Sequence, residues 1–423
     1  MRYTRSTRTA TLTNALMPLI GLVLFLGTAQ AQTFNVLYAF TGGMDGAYPS
    51  DGVTIDTVGN LYGTNYSGGA GYGTVYSLKR AGSTWVVFPL YSFSGGSDGA
   101  NPWTRVNLGP DGSLYGSTFA GGIPGCAFQG RNGCGVIFNL KPRAHSVCTN
   151  IPCPWKETVL YSFTGGSDGW LPEGDLLFQT GNIIGTTQDG GIYNNCNGFT
   201  GCGVVFQLTP SGSGWTESVL WNFGNGTDGI IPLSGVVPDR SGNLYGAALA
   251  GGTYGYGGVY QLTPSLTESV IYSFSGAADG YYGGGGVILD QTSNIYGTTL
   301  GGGAGGGGSA YELTNGTWAY NLVYSFSGTA NGVYDKFTMD QNGNLYGATQ
   351  NNGAYGYGAV FKLTPSGGGS WTYTSLHDFT NGNDGAYPNA SLVFDADGNI
   401  YGTANSGGAN NYGVVFEISS QSH

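Results

Sequence analysis

The chain has 423 residues, 81 of them glycine, 30 tyrosine, 20 phenylalanine and eight tryptophan, with a formal charge of −11. Glycine without a three-residue period excludes collagen, and so many aromatics exclude a disordered chain. The acidic balance and the scarcity of Lys and Arg exclude a groove that tracks nucleic-acid phosphates, and disfavour anionic lipid as a partner.

The N-terminus opens with Arg2, Arg5 and Arg8, an apolar run from Ala15 to Gly27, and Ala29-Gln30-Ala31. A positive start, an apolar stretch and a small-x-small site describe a secretory signal over residues 1–31. The run is short for a transmembrane helix, and an uncleaved anchor is the competing reading. The expected product is a secreted, periplasmic or extracellular chain over residues 32–423, with no membrane insertion. The signal carries three of the 13 Lys and Arg and none of the 24 Asp and Glu, so ten basic side chains face 24 acidic ones, a charge of −14.

Three phrases then recur in fixed order. The first is an aromatic, one residue, then Phe: Tyr38/Phe40, Tyr91/Phe93, Tyr161/Phe163, Trp221/Phe223, Tyr272/Phe274, Tyr324/Phe326 and His377/Phe379. An Asp-Gly pair follows at Asp45, Asp98, Asp168, Asp228, Asp279 and Asp384, with Asn331-Gly332 standing in once. The second phrase is Leu61-Tyr62-Gly63 and its echoes at Tyr115, Tyr245, Tyr296, Tyr346 and Tyr401, with Ile184-Gly185 as the variant. The third ends at Tyr76, Phe138, Phe206, Tyr260, Tyr311, Phe361 and Phe416. Successive Phe markers lie 53, 70, 60, 51, 52 and 53 residues apart, and the two long repeats are those that hold cysteine.

Each repeat reads as four short strands. Val159-Leu160-Tyr161-Ser162-Phe163 alternates as a strand with Val, Tyr and Phe on one face. Ser391 to Asp395 is the next, and Asp395-Ala396-Asp397-Gly398-Asn399 supplies hairpin chemistry. Asn399 to Thr403 and Val414 to Ile418 complete the unit. No stretch after the signal has helical periodicity. Seven such units predict an all-β, seven-bladed β-propeller of four-stranded antiparallel blades. The phase predicts closure: one strand, Phe34 to Phe40, opens the domain and three close it, so the first strand completes the last blade. An open solenoid would need capping repeats, and none is visible.

Tyr-Ser-Phe, Asp-Gly, Gly-Asn-Leu-Tyr-Gly and Gly-x-Val-Phe-x-Leu-Thr-Pro together resemble the GloVer tandem repeat of bacterial exported proteins, and more distantly NHL-type blades. The resemblance covers nearly the whole chain after the signal. It implies an extracellular repeat protein without assigned catalytic residues. The family is named for a variable choice of C-terminal anchor, and Ser419-Ser420-Gln421-Ser422-His423 offers no hydrophobic anchor.

Strand alternation places the loops after the Tyr-x-Phe strand and those before the third phrase on one side of the disc. That side collects the Asp-Gly aspartates with Tyr48, Tyr72, Trp103, Trp170, Tyr193, Tyr254, Tyr256, Tyr355, Tyr357 and Tyr412. As a binding surface it would offer rings as platforms for a glycan or an envelope component, and carboxylates as acceptors for hydroxyls. As plain architecture, Asp-Gly builds the turn and each Tyr covers its own blade. The six aspartates could also supply oxygen ligands to calcium, the one cofactor these residues suggest.

Catalytic signals are sparse. Histidine is limited to His145, His377 and His423, too few for a catalytic triad in every plausible placement or a His-rich metal site. His377 replaces a packing aromatic. Scattered glutamates such as Glu157, Glu173, Glu217, Glu268, Glu312 and Glu417 could serve a glycosidase or lyase. That alternative requires one blade to break the repeat with an inward acid or His. A purely structural or adhesive surface role requires neither. The cysteines pair with near neighbours, predicting disulfides Cys126–Cys134, Cys148–Cys153 and Cys196–Cys202, in an oxidising compartment.

Overall fold

Every regular element among the described residues is a β-strand. The structure is a computed structural model and describes Met1 and residues 32–128, 130–143, 155–194, 196, 200–328, 333, 336–389 and 391–420. The predicted signal at 1–31 beyond Met1, the pair Cys148/Cys153, His145, His423 and Asn331-Gly332 lie outside the described residues.

The strands form seven four-stranded antiparallel blades in a ring, here numbered 1 to 7 in chain order. Blade 3 is the most regular: Trp170–Gln179, Asn182–Asp189, Val204–Ser211 and Gly214–Asn222 run in order from the axis to the rim. In blade 1 the inner strand is split into Ala47–Pro49 and Thr54–Ile55, which both pair with Leu61–Ser67. Blade 7 closes the ring as the phase predicted: Gln32–Ala39 pairs with Val414–Ser420, from Gln32 opposite Ser420 to Ala39 opposite Val414. The seam between blades 7 and 1 is hydrogen-bonded through Thr403 Oγ1 to the Asp51 carbonyl (2.7 Å) and Asn405 Nδ2 to the Pro49 carbonyl (3.2 Å).

The core lies between blades, where third-strand aromatics are sealed. Tyr76, Phe138, Phe206, Tyr260, Tyr311, Phe361 and Phe416 are all at most 1% exposed. Each lies against the glycine of a Leu-Tyr-Gly, Ile-Tyr-Gly or Ile-Ile-Gly phrase on the neighbouring second strand. A Cβ on Gly185 would stand 2.6 Å from the Phe206 ring, and one on Gly402 2.6 Å from the Phe416 ring. The same encounter recurs at Gly63, Gly116, Gly246, Gly297 and Gly347. The glycine is therefore an absence of side chain that the ring fills.

The outer strand corrects one expectation. A bulge falls opposite the third-strand aromatic in every blade, between Val159 and Tyr161 in blade 2 and between Val36 and Tyr38 in blade 7. The extra residue, Leu160 in blade 2, turns Val159 and Tyr161 to opposite faces. Val159 packs beside Phe138 between blades 1 and 2, and Tyr161 packs with Ile137 and Phe163 between blades 2 and 3. One outer strand thus feeds two cores.

Gly185→Ala is expected to cost about 1–3 kcal/mol by overpacking against Phe206. Gly214→Ala, where a Cβ meets nothing within 4 Å, is expected to be neutral. Denaturant unfolding of the two variants, side by side, checks this.

Candidate functional site

The side of the disc that carries the Asp-Gly loops is built on one repeated carboxylate. Asp168 accepts from the Tyr161 hydroxyl (3.0 Å), the Thr164 amide (2.7 Å) and the Thr164 hydroxyl (2.5 Å). Asp98 does the same with Tyr91 and Ser94, and Asp279 with Tyr272 and Ser275. Asp45 binds Tyr38 and Thr41, and Asp384 binds Thr380 and, at 3.1 Å, His377 Nε2. His377 occupies the tyrosine's place in packing too, stacked on Phe34. Asp228 accepts from the Gly224 amide at 3.0 Å. These oxygens hold the turn, and among the described residues no group of three or more His, Cys, Asp or Glu is arranged to hold a metal ion.

The loops before the third strand lean over the next blade. Tyr412 lies on Gly42, Tyr72 on Gly95 and Tyr256 on Gly276, where a Cβ would meet the ring at 2.6, 2.5 and 2.7 Å. Blades 2 and 3 put cysteine in that tyrosine's column, Cys134 and Cys202, one residue before the same glycine. The disulfides Cys126–Cys134 and Cys196–Cys202 form as expected, with Cα atoms 5.1 and 5.3 Å apart. Their sulfurs lie on Gly165 and Gly224. A disulfide here replaces an aromatic lid.

All seven tyrosines among the exposed large side chains belong to this face: Tyr48, Tyr72, Tyr254, Tyr256, Tyr282, Tyr355 and Tyr412. Tyr254 and Tyr355 protrude furthest, 60% and 62% exposed. Tyr48 and Tyr357 pack edge-on against Tyr412 and Tyr387. Tyr193 is half-buried beside Cys202. Two tryptophans of the set do not stand on the surface. Trp170 is 7% exposed in the core between blades 2 and 3, and Trp103 is half-buried at the axis, edge-on to Tyr66 at 5.2 Å. Trp170 directly follows Asp168-Gly169 and already opens the inner strand, and Trp103, four residues after Gly99, lies on the stretch along the axis that leads into one.

The axis holds what the repeat did not reveal. Between the Pro of each inner strand and its next core residue lie three positions: Ser50-Asp51-Gly52, Trp103-Thr104-Arg105, Glu173-Gly174-Asp175, Leu233-Ser234-Gly235, Gly284-Gly285-Gly286, Tyr334-Asp335-Lys336 and Asn389-Ala390-Ser391 (Gly283 and Val333 stand for Pro in two). Members of all seven triplets line a cavity of about 70 Å³ on the axis. Here copies differ where elsewhere they agree, which is the signal an alignment of the seven units could have supplied.

Within the channel Asp175 receives Arg105 through Nε (3.1 Å) and a second guanidinium nitrogen (2.7 Å), and also the Lys336 ammonium. Both cations hold the Asp175 carboxyl well below the usual range, against the cost of its burial. Asp51 accepts from the Gly52 and Ser391 amides, yet its burial raises its pKa. Glu173, 8% exposed, is pushed up to about 8 by burial. It therefore carries its proton at neutral pH. The Ser234 hydroxyl and Asn389 Oδ1, also on the channel wall, have no hydrogen-bond partner among the described residues.

A closed ring of seven diverging inner strands, with variable loops on one face, defines a β-propeller repeat protein. The sequence matches the Gloeobacter/Verrucomicrobia repeat over residues 21–157, 149–292 and 283–423, and the chain belongs to that family. No curated protein matches it. Among solved structures, an ancestral GH74 enzyme is similar at 12% identity and a TM-score of 0.52, over 89% of this chain and 48% of that one. A gluconolactonase from Xanthomonas campestris matches at 11% identity and TM-score 0.42, covering 92% and 90% of the two chains. YCF48 from Cyanidioschyzon merolae matches at 14% identity and TM-score 0.46, covering 91% and 98%. At such identities the likeness shows the fold alone.

Glutamates at the rim make stability pH-dependent. Glu157, Glu217 and Glu268 lie in the first half of three successive outer strands, each with one carboxyl oxygen buried and without a partner among the described residues. Burial first, then Asp98, Asp168 and Asp228 respectively, pushes each up to about 7. The folded chain thus keeps protons that the unfolded chain, with its ordinary glutamate pKa, has already lost. Their stabilisation is full at acid pH and is lost as pH rises through 7. His377, lowered by burial, opposes this weakly. The melting temperature is expected to fall from pH 5 to pH 8. Replacing all three by Gln should make the fall shallower, each glutamate accounting for about 1 kcal/mol after solvent screening, while the buried Glu173 keeps its own share of the slope.

Proposed function

We propose that this is an exported, non-catalytic propeller that binds an extracellular glycan through its tyrosine-rich face. One observation carries the reading: every strongly exposed tyrosine among the described residues lies on the same side of the disc. A tyrosine ring offers an apolar platform with a hydroxyl at its edge, at low entropic cost on binding. Tyr254 and Tyr355 are the leading platforms. Tyr48, Tyr72, Tyr256 and Tyr412 serve both the ligand and the blade beneath. Residues 1–31 act as the export signal and residues 32–423 as the propeller. Two disulfides support an oxidising destination, and no helix among the described residues is long and apolar enough to cross a membrane.

Affinity electrophoresis against a panel of polysaccharides tests the proposal. Retardation by at least one glycan class is expected. Tyr254→Ala and Tyr355→Ala should each weaken it several-fold without lowering the melting temperature. Absence of retardation across the panel would overturn the reading. The same panel with and without calcium tests the Asp-Gly turns as ion ligands; their committed oxygens lead us to expect no shift.

A second reading, a carbohydrate-active hydrolase or lyase, is favoured by Glu173, an inward acid in a single blade that stays protonated at neutral pH. If it holds, reducing ends or unsaturated ends appear in the glycan that binds, and Glu173→Gln abolishes them. Prolonged incubation with no new ends leaves binding alone.

A further inference from the structure

The distribution of positive charge is uneven in a way that the tyrosine face does not explain. Of the ten Lys and Arg beyond residue 31, Lys79, Arg80, Lys141, Arg143, Lys156, Arg240 and Lys362 lie on or toward the hairpin side of the disc. The other three, Arg105, Arg131 and Lys336, gather at the axis and its mouth on the tyrosine side. Arg131 comes from the cysteine-bearing loop of blade 2. Its guanidinium lies 4.7 Å from the centre of the Tyr66 ring and donates to Asn101 Oδ1 at 3.1 Å. Tyr66 in turn meets Trp103, which shares the wall of the channel with Lys336.

We propose that the channel mouth is the subsite for a carboxylate-bearing sugar unit, a uronate, of the bound glycan. Trp103 faces the sugar ring, Arg131 attracts the carboxylate at the rim, and Lys336 and the Ser234 hydroxyl receive it on the channel wall. The inference rests on the glycan-binding reading and narrows its ligand class.

Size and charge both favour this. A cavity of about 70 Å³ holds about five waters. A carboxylate fits such a space, and Trp103 on its wall offers the sugar ring an apolar face. Among the described residues Arg105 and Lys336 face Asp175 and Asp51 on the channel wall, two cations against two carboxylates, and Arg131 at the rim adds a further positive charge. Glu173, protonated at neutral pH, is a donor to an anion there rather than a repelling charge. Above its pKa of about 8 it would repel the ligand, so affinity should fall as pH rises past 8.

The test compares polygalacturonate with its carboxyl-reduced form in affinity electrophoresis at pH 7. Retardation by the polyuronate is expected to be about fivefold stronger or more, and to weaken with added salt. Arg131→Ala, a rim variant, and Lys336→Met, on the wall, should each lose most of that preference and keep the retardation by the reduced polymer. Equal retardation by both polymers, or an unchanged preference in Arg131→Ala, overturns the uronate subsite and leaves the glycan-binding reading standing. No retardation by these or any neutral polysaccharide overturns both.

Discussion

A ring without room for a Cβ beside it is the constraint on which this fold depends. In each blade a second-strand glycine faces a third-strand Phe or Tyr so closely that any larger residue would move the ring or the strand. The seven rings lie between blades, not within one, so the contact sets both the strand spacing and the packing of neighbours. Second-strand hydroxyls add a polar stitch at the same level: Thr64 donates to the Thr104 carbonyl, Thr186 to that of Ser234 and Thr403 to that of Asp51. The abundance of glycine in the sequence is thus divided between two physical needs. Some glycines turn the chain, and a smaller invariant set makes space.

Carboxylates organise both sides of the disc around that core. On the loop side Asp45 and its equivalents tie a turn to a tyrosine hydroxyl. On the hairpin side Asp56 accepts from the Val58 and Asn60 amides, the Asn60 side chain and the Tyr62 hydroxyl, and Asp239, Asp340 and Asp395 repeat that set. These hydrogen bonds lower the hairpin aspartates' pKa values. Most of the chain's acidity is therefore structural. It stabilises turns rather than presenting a broad negative field to a partner, and it leaves the few cations on the loop side conspicuous.

The fold was legible because its devices repeat. Tyr-x-Phe, Asp-Gly and Leu-Tyr-Gly each recur in nearly every unit, and strand phase alone placed Gln32–Ala39 in the last blade. His377 was readable as a substituted aromatic, and the structure adds that it also inherits the tyrosine's bond to aspartate. Three things were not legible. The bulge at Leu160 and its equivalents leaves no trace in period-two alternation, so Val159 was expected on the wrong face. Trp103 and Trp170 follow Asp-Gly within a few residues, as the exposed Tyr48 and Tyr282 do, and only the path of the chain toward the axis and the core separates them. The channel residues Asp51, Arg105, Glu173, Asp175 and Lys336 share no motif, because a position that faces six different neighbours across an axis is free to differ in each copy. Repetition reports architecture, and the candidate site in the channel lies in what repetition omits.

Closure by Gln32–Ala39 also orders events in time. A chain that emerges N-terminus first presents this strand at the start, yet its partner Val414–Ser420 arrives last. Until then the strand has an unpaired edge, and blade 7 cannot exist. An interrupted or clipped chain would leave that edge open permanently, a sticky β-strand of the kind that aggregates or is degraded. The joint thus works as a check on the ring, in which only a chain made as far as Ser420 can cover the edge of Gln32–Ala39.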